Sequence, residues 1–326
     1  MLKIIGIGNA LVDVLVKLEN DSLLEVFSLP KGSMQLVDTD FVSRFTEITK
    51  NIDKQFASGG SAANTIHGLA NLGIETGYIG KIGKDEFGDI FTDDLKKSKI
   101  SPALFYSQTD TGCANTLISK DGERTFATYL GAAVELNAND LSIGLLDGYE
   151  YFHIEGYLVF NHDLLLKAAE LAKQKKMIIS LDLASYNVVE ANLDFLKDFV
   201  KKYVDVLFAN EEEAKAFTGK EPAEALNDIA EMCRIAVVKI GDKGSLIKSG
   251  TETHKVNIIP VKCIDTTGAG DLYASGFLYG LLKNLPLNKC GEIGAILSGN
   301  VIEEIGAKMD ETRWEKIRKS VFSFTN

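Results

Sequence analysis

The 326-residue sequence predicts an α/β fold: a doubly wound, Rossmann-like sheet with helices on both faces, plus a small inserted β-sheet lid. Three observations carry that expectation. Short apolar runs recur along the chain, stretches with helical spacing lie between them, and two regions have β character with no long helix in between.

Ile4–Ile7 is the first apolar run. Residues 12–19 and 33–37 then alternate in a strand-like way without a crossover helix, as a separate β layer would. Residues 103–130 read as two or three further strands linked by Asp110-Thr111-Gly112 and Lys120-Asp121-Gly122, both turn signals. Beyond them come the runs Tyr151–Ile154, Met177–Leu181, Val204–Phe208 and Ile235–Ile240, with amphipathic stretches such as Asp163–Lys175 and Asp194–Lys202 between. Apolar strands alternating with such helices imply βαβ units and a parallel sheet covered on both faces. The expected division is a large α/β domain over residues 1–12, 57–102 and 131–326, and a discontinuous lid over 13–56 and 103–130. With five prolines and no Pro/Ser-rich linker, the second unit is inserted rather than strung on.

Hydrophobic residues at 45% and charged residues at 25% are ordinary for a globular protein. The net charge of -11 argues against a nucleic-acid or membrane-surface binder, which needs a basic face. Cys113, Cys233, Cys263 and Cys290 lie far apart with no C-x-x-C pair, so they read as thiols in a reducing cytosol rather than a zinc or disulfide framework. The N-terminal apolar run lacks the length and cleavage region of a signal peptide, and no run is long enough to span a bilayer, which makes a cytoplasmic protein the expectation.

The chemistry concentrates in Asp265-Thr266-Thr267-Gly268-Ala269-Gly270-Asp271. Residues 272–282 that follow are apolar on nearly every face and predict a buried helix. Gly268 and Gly270 permit a tight turn with its amides turned outward, and the helix N-terminus adds partial positive charge. Asp271 at the head of the helix is placed to accept a proton from an attacking hydroxyl. A base beside a nucleophile, with fixed dipoles around the migrating group, is what phosphoryl transfer needs.

This segment resembles the D-T-x-G-A-G-D signature of the ribokinase/PfkB family of sugar and nucleoside kinases. The family's G-G-x-x-x-N run, which opens a helix, is matched by Gly59-Gly60-Ser61-Ala62-Ala63-Asn64. The resemblance runs through essentially the whole chain in order. It implies a ribokinase-like α/β domain with a β lid, ATP with Mg²⁺, Asp271 as the base and the amides of Gly268, Ala269 and Gly270 as the anion hole.

Other residues follow the same mapping. Gly6-Ile7-Gly8 lacks the third glycine of a dinucleotide fingerprint; Asn9 and Asp13 instead read as sheet-edge groups, and the family places an aspartate at Asp13 against sugar hydroxyls. Gly59 and Gly60 let the backbone approach a sugar and flex, and Asn64 donates to a hydroxyl. Arg124, after a lid turn, matches an arginine of adenosine kinases and offsets phosphate charge. Asn210 and Glu213 match the family's N-x-x-E, with Glu213 reaching the metal through water; three consecutive glutamates, Glu211 to Glu213, read equally as a charged first helical turn. Lys239, Gly241 and Gly244 resemble the G-x-x-G loop beside ATP, and Thr266 belongs with the nucleotide site.

Within the family the resemblance points to the adenosine kinase-like branch, whose mapping puts Gln35, Phe126, Thr128, Leu130 and Tyr157 around the base. Core packing of Phe126 and Leu130 stays open, as do guanosine, inosine, ribose or fructose as acceptors and a non-catalytic nucleoside sensor. The expected partners are small molecules, with no nucleic acid and no membrane, and a homodimer is admitted. The four histidines form no catalytic or metal constellation, and no Walker G-x-x-x-x-G-K-[ST] exists.

Overall fold

The structure, a computed structural model, describes residues 2–324; residue 1 and residues 325–326 of the expected large domain lie outside it. In chain order the strands begin with β1 (Ile4–Ile7), β2 (Leu11–Lys17), β3 (Met34–Leu36), β4 (Lys54–Gly59) and β5 (Thr76–Ile82). Next come β6 (Ile100–Tyr106), β7 (Thr111–Ile118), β8 (Arg124–Gly131), β9 (Tyr151–Glu155) and β10 (Ile178–Asp182). The last are β11 (Val206–Asn210), β12 (Ile235–Lys239), β13 (Ser245–Ser249) and β14 (Glu252–Val256).

They form two sheets. The large one has nine strands in the order β14-β13-β12-β11-β10-β9-β1-β5-β6. From β12 to β6 every pairing is parallel, and β13 and β14 add an antiparallel edge. The chain reverses its direction of sheet growth at β1, which lies between β9 and β5. A crevice opens beyond the carboxyl ends of the strands at such a reversal, because flanking loops leave in opposite directions. The second sheet has five strands in the order β3-β8-β7-β2-β4.

The fold is the ribokinase-like α/β architecture, and its sheet separates two apolar layers. Alternate residues of one strand go to opposite layers: Val206 and Phe208 pack with Leu272, Phe277 and Ile293, whereas Leu207 and Ala209 pack with Leu165, Phe199 and Leu226. This explains the near-continuous apolar runs of the central strands, which are buried on both sides.

Two expected lid boundaries change. The second lid segment was set at 103–130, but residues 103–106 end β6 and pair with β5 in the large sheet. Helix Glu86–Lys97 directly precedes β6, so this stretch is a crossover strand, with Ala103 and Phe105 against the large domain's apolar layer. Asp110-Thr111-Gly112 is therefore no turn between lid strands; Thr111 and Gly112 already belong to β7. Lys120-Asp121-Gly122 does join β7 to β8. The first lid segment also extends past 13–56, since the second sheet takes in Leu11 through β2 and Gly59 through β4.

Helix Ala269–Leu282 is buried along almost its whole length against helix Leu287–Val301. A Cβ on Gly276 would lie 2.6 Å from the Ile293 carbonyl oxygen, so the helices touch backbone to backbone there. Among the described residues no helix is long and apolar enough to cross a membrane. Gly276→Ala is expected to cost about 1–3 kcal/mol, the usual scale of overpacking. Urea denaturation measures it, and an unchanged midpoint would contradict the close contact.

Candidate active site

Both sheets contribute walls to one cavity of about 1740 Å³ at the carboxyl ends of the large sheet's strands. Its floor is the Gly268–Asp271 segment. Gly268, in a left-handed conformation, starts helix Ala269–Leu282, and no side chain caps that end. The Ala269 amide donates to the Thr266 carbonyl at 3.1 Å, and the rest of the first turn is left to face the cavity, as in other anion-binding helix termini.

Asp271 lies in the first turn. Ser61 Oγ donates to its Oδ1 at 2.7 Å and Asn64 Nδ2 donates to its Oδ2 at 3.0 Å. Burial pushes the carboxyl up to about 6, opposed by those two hydrogen bonds. Asn64 therefore spends its amide on Asp271 rather than standing free for a hydroxyl donor role. Its Oδ1 is buried with no hydrogen-bond partner among the described residues.

Asp13 faces the cavity from β2. Gly59, on the adjoining strand β4, has its Cα against the Asp13 carboxylate, where a Cβ would overlap it. Gly60 has φ +94°, and a Cβ there would collide with the Asn9 carbonyl. Both positions thus need glycine for a packing reason as well as any hinge role. Burial raises the Asp13 carboxyl to about 6, with Lys308 and Arg124 pulling it down and Asp271 pushing it up.

Asn9 donates through Nδ2 to Glu155 Oε1 at 2.9 Å, and Glu155 Oε2 accepts the Ala62 amide at 3.0 Å. Glu155 is only 1% exposed and burial raises it to about 7. It clamps the loop after β1 to the start of helix Ser61–Asn71, and the sequence reading missed it. Asp182 was missed as well; its Oδ2 pairs with Lys239 Nζ at 2.9 Å. A usable signal was present, since each acid ends an apolar parallel strand, where side chains meet the crevice.

The second sheet presents one face to the cavity: Leu11 and Asp13 of β2, Ala114 of β7, Thr128 and Leu130 of β8, Met34 and Leu36 of β3. Gln35 is absent from this face. Strand alternation turns it away while Met34 and Leu36 point in, so the expected contact was one residue out of register. Phe126 pairs with Met34 on the correct face but lies beyond the cavity's reach. Tyr157 does line it, from the turn after β9.

Arg124 is buried in a different contact from the free phosphate ligand expected. Its Nη1 donates to Thr267 Oγ1 at 2.9 Å, and its Nη2 meets Asp265 Oδ2 at 2.7 Å, a charge contact without hydrogen-bond alignment. Asp265 also accepts the Thr267 and Gly306 amides at 3.0 and 2.7 Å. A strand of the second sheet is thereby tied to the segment that carries Asp271.

Asn210 and Glu213 form a capping box on helix Glu211–Thr218: Asn210 N donates to Glu213 Oε2 and Asn210 Nδ2 to Oε1, both at 2.7 Å. Burial raises Glu213 to about 7, with Asp182 adding to the rise. The charged first turn is realised as this cap, and both residues also line the cavity. Thr266, Lys239, Gly241 and Gly244 line it too, and its far end is an apolar slot between Ile258, Ile259, Val261 and the helix residues Ala295, Ser298 and Gly299.

The pfkB family carbohydrate kinase profile matches residues 32–313. A probable sugar kinase protein from Rhizobium etli is similar in structure with TM-score 0.87 and 34% identity, over 98% of both chains. The adenosine kinase from Sinorhizobium meliloti gives TM-score 0.86 and 32% identity, over 98% of this chain and 99% of its own. In sequence, the adenosine kinase of Schizophyllum commune is 25% identical across 97% of this chain and 98% of its own length.

Removing one member of a buried ion pair strands the other. Asp265→Ala is expected to destabilise the fold by about 3–5 kcal/mol. Equilibrium urea unfolding reads this, and a cost below about 1 kcal/mol would show that Arg124 finds water instead.

Proposed function

The chain belongs to the pfkB carbohydrate kinase family, phosphotransferases with an alcohol group as acceptor, and we propose that it phosphorylates the 5′-hydroxyl of a purine nucleoside, adenosine first. The observation that carries this reading is the pairing of Asp271 and Asp13 across a cavity whose lid-side wall is apolar. Leu11, Met34, Leu36 and Leu130, with Tyr157 opposite, suit a flat purine better than a bare sugar, which needs more polar partners.

In this reading Asp13 accepts the ribose hydroxyls, and the backbone at Gly59 and Gly60 lies close beside them. Asp271 takes the proton of the 5′-hydroxyl, held in place by Ser61 and Asn64. A base whose pKa lies near 6 is ionised at neutral pH yet still basic enough to assist proton removal. The amides of Gly268, Ala269 and Gly270 face the transferring phosphoryl. The adenine of ATP takes the apolar slot around Ile258, Ile259 and Gly299.

Mg²⁺ arriving with ATP supplies charge neutralisation of the phosphate oxygens. The fit to the chain is indirect. Both oxygens of Glu213 are engaged by Asn210, so any contact of Glu213 with the metal would run through water. Among the described residues no group of three or more His, Cys, Asp or Glu is arranged to hold a metal ion. Such a pattern suits a magnesium that keeps its waters and is held mainly by phosphates. A cytoplasmic location belongs to the same proposal and is supported by Cys113, Cys233 and Cys290, all buried as free thiols.

A sugar acceptor is the second reading, favoured by the 34% identity to a probable sugar kinase. Initial rates with Mg-ATP on adenosine, guanosine, inosine, ribose and fructose separate the two. Adenosine is expected to give the highest kcat/KM, and faster turnover of ribose or fructose than of any nucleoside would overturn the assignment.

The carboxyls of Asp13 and Asp271 are both raised to about 6, and both must be ionised to act as acceptors. The kcat/KM for the acceptor should therefore fall as pH drops below about 6, with a log–log slope that exceeds one. Asp271→Asn should cut kcat by ~10²-fold or more while nucleoside affinity changes little. A slope of one or less, or turnover near that of the parent protein, would remove these roles.

A further inference from the structure

Lys239 ends β12 and reaches the cavity floor, where its Nζ lies 2.9 Å from Asp182 Oδ2. A methyl group on Gly270 would stand 3.0 Å from that Nζ, so the ammonium lies beside the last residue of the Gly268–Gly270 turn. Asp182 is itself fixed, since its Oδ1 accepts the amide of Ala184, a non-glycine residue at φ +67°. Lys239 is the only ammonium paired in this part of the described cavity lining, and Asp182, Glu213 and Asp271 all draw on it.

The Lys239–Asp182 ion pair opens onto the cavity. It sits where β10 and β12 end, with both partners among the lining residues and both side chains largely buried. Backbone amides supply partial charges only, and the chain carries a net charge of -11. A phosphoryl group in flight at Gly268–Gly270 would lie near Asp182, Glu213 and Asp271, so a full positive charge from the chain would add to what Mg²⁺ supplies.

We propose that Lys239 is the cation that contacts the transferring phosphoryl group and that Asp182 positions it for that contact. The assignment rests on the kinase reading of this cavity. In the transfer, the acceptor oxygen bonds to the γ-phosphorus as the bond from that phosphorus to the β,γ-bridging oxygen breaks. The hydroxyl proton goes to Asp271, ADP leaves with the bond's electron pair, and Lys239 keeps its proton throughout. Its ammonium exchanges a carboxylate oxygen of Asp182 for a γ-phosphate oxygen and then returns.

The test compares nucleotides that differ only in the third phosphate. Calorimetric Kd values for Mg-ADP and for the non-hydrolysable Mg-AMP-PNP are measured on the parent protein and on Lys239→Met, with kcat for the acceptor that the parent uses best. The proposal expects K239M to lose tenfold or more in AMP-PNP affinity, to hold ADP within about twofold, and to lose ~10²-fold in kcat, the scale seen when one oriented transition-state donor is removed. Equal losses for ADP and AMP-PNP, or kcat within threefold of the parent, overturn it.

If K239M does not fold, Asp182→Asn keeps the lysine while freeing it. That variant is expected to weaken AMP-PNP selectively and to lower kcat about tenfold, and a variant indistinguishable from the parent overturns the proposal. A parent protein that phosphorylates no alcohol sinks the kinase reading itself, and the ADP against AMP-PNP comparison then decides the lysine's role on its own.

Discussion

Two helices converge head-first on Asp271, and the rest of the site is arranged around that convergence. Helix Ser61–Asn71 and helix Ala269–Leu282 both begin at a glycine with positive φ; Glu155 takes the Ala62 amide of the first, and no side chain caps the second. Ser61 and Asn64 of the first hold the carboxylate that belongs to the second. Their alignment is fixed further down, where a Cβ on Gly68 would overlap the Ser275 hydroxyl and Ser275 Oγ donates to the Thr65 carbonyl at 2.6 Å. The close approach of the helix bodies thus aims two helix N-termini and their dipoles at one point. An acidic protein obtains a local anion site in this way without a cluster of surface cations.

The same convergence creates a cost that the surroundings only partly offset. Asp13, Glu155, Glu213 and Asp271 are all raised to about 6 or 7, chiefly because burial strips water from their carboxylates. Three cations stand against them, each held by an acid outside the immediate reacting point: Arg124 by Asp265, Lys239 by Asp182, and Lys308 near Asp94 at 3.8 Å. Lys308 also donates to Ser58 Oγ at 3.0 Å, one residue before the Gly59-Gly60 pair, so it steadies the strand that backs Asp13. Buried acids tolerate this only because each accepts fixed hydrogen bonds or faces a held cation.

Local chemistry decides which parts of this were legible in the sequence. The buried helix after Asp271 and the parallel strands showed in hydropathy alone, because burial on both faces leaves uninterrupted apolar runs. The segment Asp265–Asp271 showed because its residues are contiguous in sequence. Glu155 and Asp182 were marked only by their places at the ends of apolar strands and Lys308 by nothing, since each gains its meaning from partners far away in sequence, such as Asn9 to Glu155 or Lys239 to Asp182. The edge hairpin β13–β14 was also missed, and the lid boundary at 103 was misplaced, because a crossover strand and a lid strand look the same until pairing partners are known. Gln35 shows the sharpest limit: period-two alternation names two faces, but the sequence does not say which one meets the cavity.

That alternation bears on the acceptor. Met34 and Leu36 are 55% and 66% exposed, a large share for apolar side chains on a three-residue edge strand. Both project into the cavity mouth with Leu130, while Asp13 lies deeper on the same face. A ligand with a polar end and a flat apolar end satisfies this gradient, its hydroxyls reaching Asp13 while its ring covers Met34 and Leu36. A bare sugar fills only the polar end and leaves the apolar rim in water, which forgoes about 25 cal/mol for each Å² left uncovered. In the proposed reaction, discrimination between the two acceptors would therefore rest on the rim of the second sheet, and transfer on Asp271. The link between them is the Arg124–Asp265 contact, which ties β8, the strand carrying Leu130, to the start of the catalytic segment.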